Sequence, residues 1–141
     1  MRGRTIKVAP CITQSYMVTR ESAITQEHLD KLERLTGIKT DVPEIHGGMV
    51  CGIENRHDTW EPLSDFFKID GIAGTLWNRI GFVDPDPASK CFWIFWILQL
   101  GVEFRVIKYS PISRKRKTVL KTDNYDQAKW FATGFFDKRY A

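Results

Sequence analysis

The side chains best suited to chemistry fall between positions 46 and 58: His46, Cys51, His57 and Asp58. Imidazole, thiolate and carboxylate are the donors that hold zinc, and a Cys–His pair can supply a thiol nucleophile. Their spacing argues against both. Such metal sites are built from closely paired ligands, and no CxxC or HxxxH occurs in the chain. His46–Gly47–Gly48 is similar to the oxyanion loop of esterases, but no G-x-S-x-G nucleophile elbow is present to serve it. A second set, Asp84 or Asp86 followed by Glu103–Phe104–Arg105, has the rough order of a nuclease cation site. There an arginine stands where a base is needed, and a guanidinium does not give up its proton. The expectation is a non-enzymatic protein without metal or cofactor, with a small hydrolase or nuclease as the weakest alternative.

Charge is the stronger signal. Up to Leu100 the chain holds 11 Lys and Arg against 13 Asp and Glu, a net −2. From Gly101 onward it holds 10 against 4, a net +6. Within that segment Arg114–Lys115–Arg116–Lys117 form a basic run, flanked by Arg105, Lys108 and Lys121. The run is expected at the tip of a β-hairpin. A two-stranded ribbon fits the major groove of duplex DNA, and cations at its tip neutralise phosphates. The partner expected is therefore nucleic acid, a nucleoprotein or an acidic protein surface. The bland account is a solvated tip kept charged against edge pairing.

These cations are positioned by residues 91–122. Cys91–Leu100 is uncharged and does not alternate, as in a sheet centre covered on both faces. Gly101 turns the chain. Val102–Tyr109 alternates as a half-exposed strand, Pro111 stops the ladder, and the chain returns over 117–122. A helix over 124–136, capped by Asp123 or Asn124, follows with Ala128, Phe131, Ala132 and Phe135 on one face. Trp130 falls on the other face and is a candidate anchor for a protein partner. The order of three strands and a packing helix is similar to the three-stranded-sheet DNA-binding domains of some integrases, a likeness of architecture alone.

Upstream, Thr25 and Gly37 bracket a helix over 26–36 with Leu29, Leu32 and Leu35 on one stripe. His28 at the edge of that stripe reads as a packed histidine. Residues 11–19 alternate as a strand. Residues 38–58 read as a long loop with a short strand at Met49–Ile53, and that loop is a second candidate contact. Residues 59–82 read as two short helices, the second over 72–80 and capped by Asp70. The whole gives a single α+β domain over 1–141: an antiparallel sheet of four or five strands packed by three to four helices at one face or end.

Bulk properties narrow the class. A composition of 43% hydrophobic and 27% charged residues excludes a disordered chain. Three cysteines without close spacing, and no apolar run behind the basic start, are those of a cytosolic protein with reduced thiols. The longest apolar run is too short to span a membrane.

Overall fold

The computed structural model describes residues 24–57 and 61–134. The strand expected over 11–19, Asp58 and Phe135 lie outside them. The first helix, α1 (Gln26–Thr36), has the expected bounds. The His28 N–H donates to the Thr25 hydroxyl, and the Thr25 N–H donates back to His28 Nδ1. Histidine thus takes the place of the usual Glu in a capping box, and its ring is buried. Gly37 stops the helix at φ 75°, where a side chain would be strained.

Seven antiparallel strands follow: β1 (Glu44–His46), β2 (Met49–Ile53), β3 (Ser64–Ile69), β4 (Ile72–Val83), β5 (Phe92–Leu100), β6 (Glu103–Ser110) and β7 (Lys115–Thr122). Their order is β1-β2-β4-β5-β6-β7, with β3 also paired to β4. A second helix, α2 (Tyr125–Thr133), is capped by Asn124, whose side chain accepts the Gln127 N–H. The class is α+β as expected. The sheet is larger, and the described residues hold two helices.

The correction lies in residues 59–82, whose described part forms the β3–β4 hairpin and no helix. Asp70 and Gly71 both have positive φ, 52° and 79°. An Asp-Gly pair between Ile69 and Ile72 is the signature of a tight hairpin turn, and Asp70 caps nothing. A register shift between Leu76 and Asn78 breaks the alternation of β4. The apolar residues therefore fall at 72, 73, 76, 77 and 80 and imitate a helical stripe. The sheet is strongly curved here. Ile69 and Phe67 reach the apolar cluster of Trp96 and Ile107, so the hairpin folds back across one face.

The helices lie on opposite faces of the sheet, not on one. Ala128 and Ala132 of α2 pack on Met49, Phe82, Phe95 and Val106. On the other face α1 sits where Gly52 and Gly81 pair in register. Two missing side chains side by side open a hollow, which Leu32 and Thr36 occupy. A Cβ at Gly81 would lie 2.8 Å from Thr36 Cβ, and one at Gly52 would lie 2.5 Å from Leu32 Cδ2. Beside this seat Lys31 is buried, and its ammonium donates to the carbonyls of Asp84, at 2.6 Å, and Asp86. Burial lowers its pKa, against the pull of the two aspartates.

β5 is buried on both faces from Trp93 to Leu98, as its uncharged run implies. The buried Asn78 amide bonds both backbone groups of Asn55 and the Tyr125 hydroxyl, tying β4 to α2. Among the described residues no helix is long and apolar enough to cross a membrane.

Candidate nucleic-acid interface

The β6–β7 ladder runs from Phe104↔Thr122 to Ser110↔Lys115. The turn is Pro111–Arg114, with Arg114 at φ 59°. The basic run is therefore not the tip itself. Arg114 is in the turn, while Lys115, Arg116 and Lys117 already belong to β7. Because side chains alternate, the cations divide between the faces. Lys108 pairs with Lys117 on the α2 side, next to Lys115. Arg105 pairs with Lys121, and Arg116 with Tyr109, on the α1 side.

Several of the seven are already engaged. Arg116 Nε donates to Asp70 at 2.9 Å, and its Nη2 donates to the other carboxylate oxygen. This pair holds the Asp70 carboxyl below its usual range. The Arg116 guanidinium also lies 5.8 Å from the Tyr109 ring. Tyr109 stacks on Trp96 at 4.7 Å, and Phe67 meets Trp96 edge-on at 5.1 Å. The row runs from β7 to β3 and closes the curl of the sheet. Arg105 donates to Glu103 at 2.5 Å, which with Lys121 nearby lowers the Glu103 pKa. Lys108 stands 4.8 Å from the centre of Trp93.

Of the other four, Lys121 is exposed with its charge near Glu103, and Arg114, Lys115 and Lys117 remain. All three are exposed, and they make no ion pair among the described residues. They line the turn and the first half of β7, an edge strand of the sheet.

Among the described residues the other candidates do not gather at one point. Cys51 is fully buried on β2, and burial pushes its pKa far up, so it rests as the thiol. His46 lies on β1, 3.9 Å from Glu44 and edge-on to Phe82 at 6.5 Å. His57 is exposed in the turn after β2. Among the described residues no three His, Cys, Asp or Glu side chains gather as metal ligands. Asp84 is buried and follows β4, where Val83 pairs with Phe92, whereas Glu103 pairs with Leu100 at the far end of β5. A strand of that length sets them roughly 25 Å apart, too far to share a cation.

A hollow of ≈ 260 Å³ is lined by Glu44, His46, Ile53, Arg56, Lys129 and Thr133. It brings together charged groups without an activated nucleophile. Trp130 is 42% exposed on α2. The helical reading of 59–82 places Leu63, Phe66 and Phe67 inward; on β3 Phe66 instead faces outward and is 91% exposed.

Comparison with protein-family models, curated proteins and solved structures found no match to this chain. The three strands that resemble an integrase sheet are here part of a seven-stranded one.

Proposed function

We propose that this protein binds nucleic acid, or a nucleoprotein, through the β6–β7 turn and the start of β7, without catalysing a reaction. The observation that carries this is the set of three exposed cations, Arg114, Lys115 and Lys117, which make no ion pair among the described residues. Lys108 and Lys121 flank them, and Arg105 and Arg116 add field while paired within the chain. The +6 balance of the C-terminal segment acts in the same direction.

The test is a salt series of duplex and single-strand binding by wild type and an Arg114→Ala, Lys115→Ala, Lys117→Ala variant. Three lost phosphate contacts flatten the slope of log K against log salt by about 2 to 3. Equal affinity and equal slope in the variant remove the proposal.

A second reading is a module that docks on a larger protein assembly, favoured by the partial exposure of Trp130 on α2. A pull-down with and without nuclease separates the two. A partner that survives nuclease and is lost on Trp130→Ala supports the docking module.

A further inference from the structure

Beside the cations that make no ion pair among the described residues stands an exposed apolar side chain. Ile112 is 68% exposed in the turn between β6 and β7. The turn itself is well tied. Arg114 N–H donates to the Ser110 carbonyl at 2.7 Å, and the Ser113 hydroxyl donates to the same oxygen at 3.4 Å. Pro111 fixes φ at the entry to the turn. Ile112 is thus presented outward on a tied loop, with Arg114 and Lys115 within three positions of it.

Two further observations decide what such a tip can meet. Among the described residues, the rings that lie against these cations offer no platform for unpaired bases. Trp93 and Trp96 are 2% and 9% exposed, and Tyr109 lies beneath Arg116. Single-strand binding by stacking needs open rings. In addition, β5 pairs with β6 from Glu103 to Tyr109, so the hairpin is no free ribbon able to lie along a major groove. Within this hairpin the turn extends past the β5–β6 ladder.

We infer that the turn acts as a wedge on duplex DNA: Ile112, backed by Pro111, enters between two base pairs from the minor groove while Arg114, Lys115 and Lys117 hold the adjacent phosphates. Apolar wedges of this kind unstack one step and kink the duplex, and flanking cations keep the bent backbone in place. The inference rests on the nucleic-acid reading above and adds to it the form of the ligand and a bend.

The experiment uses the full chain and a short duplex carrying a donor and an acceptor dye at its ends. Wild type raises energy transfer on binding, and it prefers a duplex with one central mismatch by about tenfold, because that step is already partly unstacked. Ile112→Ser keeps the salt slope but loses the rise in energy transfer and the mismatch preference. Ile112→Leu retains both. An unchanged melting temperature for the two variants shows that the fold is intact, as expected at an exposed position. If wild type binds duplex without bending it, or Ile112→Ser bends it equally, the wedge is wrong and the electrostatic proposal stands. Binding to single strands alone overturns the wedge while leaving nucleic acid as the partner. Binding only to anionic lipid vesicles overturns both.

Discussion

Lys31 and Lys115 are the same side chain put to opposite uses. Lys31 is sealed beneath α1, 3% exposed, with its ammonium held by two backbone carbonyls. Lys115 starts an edge strand, exposed and without an ion pair among the described residues. The first carries a desolvation penalty that outweighs the pull of Asp84 and Asp86, while its ammonium ties α1 to the chain beyond β4. The second contributes little to folding and leaves its charge for a partner. Stability in this protein should therefore respond to changes under α1, and binding to changes along β7.

The sharpest way to break that contrast is at the glycine hollow. Gly81→Val would drive a side chain into the Thr36 side chain of a packed helix. Urea unfolding should show a loss of about 3 kcal/mol, and a neutral result would mean that α1 is not seated there. Next is Lys31→Met, which keeps the stem but leaves the Asp84 and Asp86 carbonyls without their donor. A loss of about 2 kcal/mol is expected.

The pH dependence of that variant sharpens the contrast. The folded-state pKa of Lys31 lies below 10.5, so the unfolded chain holds its proton more tightly. The contribution of Lys31 to stability therefore improves as pH rises from the lowered value to 10.5. The gap between wild type and Lys31→Met should widen over that window. Cys51 acts the other way above its ordinary 9.0, since only the unfolded chain then loses the thiol proton, but this term is common to both proteins.

The triple substitution of Arg114, Lys115 and Lys117 should change stability by no more than about 0.5 kcal/mol while abolishing most salt-dependent binding. The smallest effect belongs to Asp70→Asn. The folded-state pKa of Asp70 is depressed by Arg116, so the contribution of the pair is present above pH 3.8 and lost as pH falls through the lowered value. The variant should lose that slight acid sensitivity in thermal melts and, by releasing Arg116, bind anionic partners somewhat more tightly at low salt.

The sequence reveals α1, β5 and β6 because each follows one rule without interruption: a capped stripe of leucines, an uncharged run, an alternating strand. It hides β3 and β4 because the irregularity at Leu76–Asn78 turns a two-residue period into something near a helical one. The signals that could have corrected this were present. Asp70–Gly71 is a hairpin dipeptide, and Gly74 is a poor residue for a helix interior. At the candidate interface the residue types were legible and their partners only in part. Glu103 and Arg105 are two apart on a strand and so share a face. Asp70 and Arg116 meet only because the β3–β4 hairpin folds back across the sheet.

The paired glycines of β2 and β4 also set an order of assembly. An eleven-residue helix does not persist alone in water. The seat of α1 comes into being only when Gly52 and Gly81 are zipped side by side. During refolding its amides should gain protection after those of β4 and β5, and in native-state hydrogen exchange they should be released first. The helix with the clearest signature in the chain is thus the one that waits for the sheet.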